Sequence, residues 1–137
     1  MTIRRQLFPQ LDLVVYGVDG VVGVGDFVTA GTALYELETP PRMSLWDLTH
    51  ASAAEINPAR IREIQSALVG QVRGRTGGKT AVVAPNDVVF GVARQYEALA
   101  RSHNLPMEMQ VFRSNEEALR WLEVDGARLD EEIGKRS

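Results

Sequence analysis

A valine-rich apolar run extends from Leu11 to Val24 and is interrupted by residues 17–20, Gly-Val-Asp-Gly. Valine favours strands, and a central Asp-Gly favours a hairpin turn. The pattern therefore predicts two antiparallel strands, Leu11–Tyr16 and Val21–Val24, with the first of them at the edge of a sheet.

Helical and strand patterns alternate along the rest of the chain. The helices are predicted over about 26–38, 57–73, 86–103 and 115–122, and the strands over 43–48, 80–84 and 108–112. Each helix is preceded by a residue that favours the N-cap position: Asp26, Asn57, Asn86 and Ser114. Ser114 and Glu117 have the spacing of a capping box.

The longest predicted helix shows the apolar spacing of three and four residues most clearly. Its predicted core face consists of Val89, Val92, Ala93, Tyr96 and Leu99. Its charged residues are predicted to lie away from the core: Arg94, Glu97 and Arg101.

The order of these elements predicts the fold class. Strands that alternate with helices from Val21 onward require right-handed crossovers and a mostly parallel sheet. We therefore predict a single α/β domain with a mostly parallel sheet of about five strands, an antiparallel N-terminal edge strand and four helices. The chain of 137 residues suits one domain. That domain is predicted over residues 1–125, and the charged residues 126–137 are predicted to form a short helix or a tail.

Composition and charge exclude several functional classes. A formal net charge of −3 provides no strong field for nucleic acid or anionic lipid. The absence of cysteine excludes disulfides, thiolate metal centres and a thiol nucleophile. No apolar run approaches the roughly 20 residues that span a bilayer, and polar residues interrupt the N-terminal segment. We expect a cytoplasmic protein with no cofactor and with neither a nucleic acid nor a membrane as partner.

Two glycine-containing segments resemble nucleotide-binding loops only in part. Residues 77–80, Gly-Gly-Lys-Thr, follow a predicted helix and precede a strand, whereas a phosphate-binding loop has the reverse order. Residues 23–25, Gly-Val-Gly, precede a helix, and Asp47 lies where a ribose-binding acid would be. However, Val28 replaces the third glycine, and Asp26 would repel a pyrophosphate. Neither segment predicts a nucleotide site.

The candidates for catalysis are few. His50 follows Asp47 near a strand end, so the two could form a general base or a metal pair. No nucleophile elbow, HExxH motif or third ligand accompanies them. We therefore predict no catalytic residue, no metal site and no enzymatic activity.

Polar residues follow the predicted strands at their carboxyl ends. Ligands of open α/β sheets bind at this edge. The predicted ligand or partner edge consists of Asp47, Thr49, His50, Asn86, Asp87 and Arg113. A purely local role is the alternative for each residue, with Asn86 as a helix cap and Asp47 bonded to nearby amides.

Four stretches of the chain match one family in order and spacing. They are residues 45–48, 81–87, 90–94 and 111–122. Together they resemble the STAS-like domains of bacterial proteins, which have a sporulation anti-anti-sigma-factor-like fold and are also likened to the CRAL-TRIO lipid-binding domain. The resemblance implies a small, often dimeric α/β domain that binds a protein or a ligand without catalysis.

The resemblance also suggests where regulation occurs. Anti-sigma-factor antagonists of this family carry a phosphorylatable serine in an Asp-Ser-Ser-Gly-like turn, which residues 49–58 lack. Thr49 and Ser52 provide hydroxyls in that region and are the predicted phosphosites. Phe90, together with Val88 and Trp121, lies off the main apolar stripes, so Phe90 is predicted to lie in a homodimer interface.

These observations support three functional hypotheses. The first is a non-catalytic cytoplasmic STAS-like domain that acts as a homodimer on an unidentified partner protein. The alternative is a carrier of a small apolar or lipid-like ligand in a cavity lined by Phe27, Leu34, Val89 and Tyr96. The third is a hydrolase or metal site at Asp47 and His50.

Overall fold

The structure of the protein is a computed structural model that describes residues 2–21, 23–52, 57–68, 77–102 and 107–135. The strands are β1 (Thr2–Phe8), β2 (Leu13–Val21), β3 (Met43–Ser52), β4 (Lys79–Val83) and β5 (Glu108–Phe112). The α-helices are α1 (Val24–Tyr35), α2 (Pro58–Leu68), α3 (Asp87–Ser102), α4 (Asn115–Leu122) and α5 (Gly126–Gly134).

The five strands form one sheet in the order β1-β2-β3-β4-β5. β1 pairs antiparallel with β2, and the other neighbours pair parallel. This arrangement confirms the predicted α/β class with an antiparallel N-terminal edge strand. The described residues form the four predicted helices and a fifth, α5, which is the short C-terminal helix that the sequence analysis gave as one possibility.

The N-terminal hairpin was predicted at the wrong place. The predicted turn at residues 17–20 lies inside β2, so Leu13–Val21 is one strand rather than two. The antiparallel partner is β1, which pairs from Thr2 with Asp19 to Phe8 with Leu13. The apolar pattern missed β1 because its centre, Arg4-Arg5-Gln6, is polar and exposed. A charged edge strand is common because it discourages pairing with other chains.

The main differences between the predicted and the observed helix and strand ends are at three places. Gly23 rather than Asp26 is the N-cap of α1, and the Asp26 carboxylate accepts a hydrogen bond of 2.9 Å from the Gly23 amide. α1 ends at Tyr35 instead of residue 38. β3 continues to Ser52 because β2 pairs with it as far as Val21, so Thr49, His50 and Ser52 are strand residues rather than loop residues.

The remaining N-caps are confirmed. The Asn57 side chain accepts a hydrogen bond from the Arg60 amide at 2.9 Å. The Ser114 hydroxyl accepts one from the Glu117 amide at 3.2 Å, so Ser114 is the N-cap of α4. The Glu117 carboxylate accepts from the Ser114 hydroxyl rather than from the Ser114 amide, so the second half of the predicted capping box is replaced by a contact between side chains. The predicted helix ends near residues 73 and 103 lie outside the described residues.

Helices cover both faces of the sheet. On one face, α1 and α3 pack on buried residues of the strands and on Ala84, which follows β4: Val14, Tyr16, Val18, Leu48, Val82, Ala84 and Val111. On the other face, α4 and α5 pack on a second set: Phe8, Leu13, Leu45, Ala81 and Val83. Leu129 of α5 belongs to this second core, together with Leu122 of α4. The predicted domain end at residue 125 stays a prediction.

The prediction that Glu97 lies away from the core is wrong, because this residue of α3 is 1% exposed. Its Oε2 accepts a hydrogen bond of 2.8 Å from the Val111 amide of β5. Its Oε1 lies 3.0 Å from Arg94 Nη1 and 3.2 Å from Arg101 Nη2. A buried carboxylate is tolerated only when such partners compensate for the water that it loses.

None of the described helices combines the length and the apolar character that a membrane-spanning segment requires.

Candidate functional site

The carboxyl ends of β4 and β5 lie in one row with Asp47 of β3, and β3 continues beyond this row to Ser52. Asp47 pairs with Val83, and Val83 pairs with Phe112. Neighbouring strands are about 4.8 Å apart, so the backbones of Asp47 and Phe112 are about 10 Å apart. Asp47 and the residues that follow β4 and β5 therefore lie near one end of the sheet, and binding of a ligand or partner there stays a prediction.

Arg113 links the end of β5 to the start of α3. Its Nη1 donates to the Asp87 carboxylate at 2.5 Å and to the Pro85 carbonyl at 3.2 Å. Its guanidinium lies over the Phe90 ring, with Cζ 3.9 Å from the ring centroid. The planar guanidinium can both bind a carboxylate and stack on an aromatic ring, which lysine cannot do in the same way.

An exposed apolar residue lies in the same first turn of α3. Val88, in the first turn of α3, is 68% exposed, whereas Phe90 is partly buried below Arg113. We name the set Pro85, Asp87, Val88, Phe90 and Arg113 the α3 patch. It combines an aromatic ring, an arginine and a free aliphatic side chain, and such residues are typical of protein interfaces.

Asn86 acts as the predicted helix cap. Its Oδ1 accepts hydrogen bonds from the Val88 amide at 2.9 Å and from the Val89 amide at 3.2 Å. Because both amides belong to the first turn of α3, the side chain satisfies donors that an anion would otherwise bind. Asn86 therefore has the local role of a helix cap. It stabilises the first turn of α3, in which Asp87 and Val88 of the α3 patch lie.

Asp47 is bonded to Thr49 within the same strand. Its Oδ1 accepts hydrogen bonds from the Thr49 amide at 3.0 Å and from the Thr49 hydroxyl at 2.5 Å. At this point the pairing of β3 with β2 shifts by one residue, since Gly17 pairs with Asp47 but Asp19 pairs with His50. The side chain of Asp47 therefore stabilises a β-bulge. This is the local role, bonding to a nearby amide, that the sequence analysis gave as the alternative to ligand binding.

The predicted edge residues fall on opposite faces of the sheet. Leu45 packs against α4 and α5, whereas Leu48 packs on the α3 side. Because successive side chains of a strand alternate, Asp47 lies on the α4 side. Arg113 follows Phe112, which packs on the α4 side, and itself contacts Phe90 of α3. The structure thus brings Asp87 and Arg113 together and separates them from Asp47.

Residues that the sequence analysis missed lie beside His50. Asp19, the register partner of His50, forms an ion pair of 3.0 Å with Arg4 of β1. The Arg4 guanidinium passes over Gly17, and a Cβ there would lie 2.8 Å from Arg4 Nη2, so a larger residue would shift the end of this flexible side chain. The ion pair of Arg4 with Asp19 could be predicted from the sequence only if β1 were first identified as a strand that pairs with β2.

The two predicted phosphosites have different surroundings. The exposed Thr49 hydroxyl is held by Asp47, so a phosphate there would lie beside a carboxylate, which electrostatics disfavours. Ser52 ends β3 and is partly buried. Phosphorylation of either residue stays a prediction.

The remaining candidate residues for a phosphate or an apolar ligand take part in the hydrogen bonding and packing of the fold. Within the described ranges, no group of three or more His, Cys, Asp or Glu side chains could hold a metal ion. Lys79 donates to the Trp121 carbonyl at 3.2 Å, and Thr80 lies 2.9 Å from the Ser44 hydroxyl inside the sheet, so neither serves a phosphate loop. Leu34 and Val89, two of the predicted cavity residues, are buried in the core.

One solved structure decides the fold of this chain. It is a crystal structure of an uncharacterized protein of the DUF3478 family with a SpoIIAA-like fold, from Shewanella loihica PV-4. The match has a TM-score of 0.50 at 17% identity and covers 88% of this chain and 92% of that chain. The chain has a SpoIIAA-like fold. The predicted STAS-like fold is therefore confirmed.

Two further solved structures are similar over almost their whole length. The unphosphorylated anti-sigma factor antagonist SpoIIAA has a TM-score of 0.41 at 14% identity, over 89% of this chain and 98% of that chain. The phosphorylated Bacillus cell fate determinant SpoIIAA has a TM-score of 0.43 at 13% identity, over 88% and 99%. No protein-family model and no curated protein matches the sequence.

Proposed function

We propose that this SpoIIAA-like chain is a non-catalytic regulatory domain that acts by binding a partner protein, with the α3 patch as the contact surface. A cytoplasmic location and an unidentified protein partner belong to the same proposal. The SpoIIAA-like fold is compatible with this role, but the role itself is argued from the residues at the carboxyl edge.

The exposure of Val88 in the first turn of α3, together with the Arg113–Phe90 stack that holds this turn, is the observation that supports the proposal. Val88 is 68% exposed, and a partner that covers it is stabilised in the complex because apolar surface is removed from water. Arg113 is held in one orientation by Asp87, Pro85 and Phe90, so little side-chain entropy is lost when a partner binds to it. Arginine and aromatic side chains are the residues on which binding energy concentrates.

The ion pair between Arg113 and Asp87 is weak enough for a carboxylate of another protein to replace Asp87. Asp87 is 90% exposed and Arg113 is 47% exposed, so water weakens their attraction to at most about 1 kcal/mol. A partner carboxylate could therefore replace Asp87 at little cost. The α3 patch is thus predicted to accept an acidic side chain next to an apolar one.

We expect Val88→Asp and Arg113→Glu each to weaken partner binding by at least about 30-fold, the effect of losing an interface hot spot of about 2 kcal/mol. The partner would first be identified by cross-linking in extracts of the native host, and its affinity measured by calorimetry with both purified proteins. Ile133→Asp is the matched control, because Ile133 is also exposed, at 40%, but lies on α5, which packs on the other face of the sheet. If all three variants lost affinity equally, or if none of them lost affinity, the α3 patch would not be the contact surface.

Homodimerisation through Phe90 stays part of the proposal; because Phe90 lies in the α3 patch, a second copy of the chain and the partner protein would compete for this surface. Sedimentation at micromolar concentration is expected to show a dimer of the wild-type chain, and Phe90→Asp is expected to shift it toward monomer by at least about tenfold in the dissociation constant, because a charge enters an apolar contact. Thermal unfolding must show that the variant remains folded, since Phe90 also packs below Arg113. A wild-type monomer at every accessible concentration would refute this interface. An apolar molecule retained in native mass spectra would instead support the carrier alternative.

A further inference from the structure

The two edges of the sheet are β1 and β5. On β5, the Glu108 amide bonds to the Gly78 carbonyl, and the Phe112 carbonyl accepts from the Ala84 amide. In a parallel ladder, alternate residues bond to the same neighbour. The even-numbered residues of β5 therefore face β4, and the amides of Met109 and Val111 point out of the sheet.

Glu97 occupies the outer side of this edge. Its carboxylate, on α3, accepts the outward Val111 amide at 2.8 Å, which is the hydrogen bond that a further strand would make. Arg94 and Arg101 hold the other carboxylate oxygen from the solvent side, so Glu97 is 1% exposed although it lies at the rim of the sheet. A helical side chain thus closes the strand edge.

We propose that Glu97 guards the β5 edge against pairing with β5 of a second copy of this chain. Unpaired edge strands are templates for association, and natural proteins block them. The sequence of β5 would suit such pairing, because Glu108 is its only charge. In an antiparallel pair centred on Gln110, Glu108 would face Phe112 of the second copy, so no like charges would meet.

This inference is independent of the α3 patch and of the proposed function. It implies that the β5 edge is closed in the wild-type chain. A partner that adds a strand to this sheet would have to do so at β1.

Amide hydrogen exchange of the wild-type chain tests the closed edge. We expect the Val111 amide to exchange at least about tenfold more slowly than the Met109 amide, which points outward from the same strand without a carboxylate partner. NMR exchange rates at single residues provide the comparison. Equal rates for the two amides would overturn the proposal, and this measurement does not depend on any variant being folded.

Two substitutions separate the hydrogen bond from the charge. Glu97→Gln keeps an oxygen acceptor for the Val111 amide, so we expect slow exchange at Val111 and the association state of the wild type. Glu97→Ala removes the acceptor, and we expect sedimentation to show an additional association that grows with concentration. Adding Gln110→Lys to Glu97→Ala should reverse it, because two lysines would meet at the centre of the paired edge.

A folded Glu97→Ala variant with the association state of the wild type would overturn the proposal. So would association that persists after Gln110→Lys is added. If Glu97→Ala does not fold, the exchange rates of the wild type and of Glu97→Gln decide: loss of protection at Val111 in either chain would refute the closed edge.

Discussion

Replacement of Phe8 by alanine is expected to lower the free energy of unfolding by about 4 kcal/mol, the usual cost of deleting a fully buried phenylalanine ring. Phe8 is 0% exposed and packs in the core between the sheet and the helices α4 and α5. Urea unfolding followed by circular dichroism measures the change. The experiment tests β1 directly, since this strand places Phe8 in the core.

Gln6→Ala is the control for this experiment. Gln6 lies on the same strand, two residues before Phe8, but is exposed. We expect it to change the free energy of unfolding by at most about 0.5 kcal/mol, as is usual for exposed positions. If Phe8→Ala were as mild as Gln6→Ala, the N-terminal segment would not be part of the folded core.

Leu129→Ala is expected to lower the free energy of unfolding by about 3 kcal/mol, in the range for a buried leucine. Leu129 is 6% exposed and belongs to the same core as Phe8 and Leu122, so we expect α5 to contribute to the stability of the domain. The same urea titration measures the effect. Deleting residues 126–137 should cost at least as much, because it exposes the same core.

Arg128→Ala is the matched control for α5, because Arg128 precedes Leu129 in the helix and is exposed. We expect less than about 0.5 kcal/mol for this variant. An unchanged stability of both Leu129→Ala and the truncated chain would instead support a domain that ends at residue 125.

The candidate site was predictable as a set of residues but not as an arrangement. Helix caps depend on neighbours within three positions in the chain, and so Asn86 and Ser114 were assigned correctly from the sequence. The contact of Arg113 with Phe90 and Asp87 joins β5 to α3, and it depends on the position of two elements that are separated in the chain. Strand alternation then placed Asp47 on the opposite face.

Sequence alone determined the α/β class, the mostly parallel sheet and most helix starts, because these follow from the period of apolar residues and from local capping. Tertiary structure alone decided three features. β1 is a strand because β2 supplies its hydrogen-bond partners, although its centre is polar. β3 continues to Ser52 for the same reason. Glu97 is buried because two arginines and the β5 backbone compensate for its charge, and no periodicity of a single helix reveals those partners.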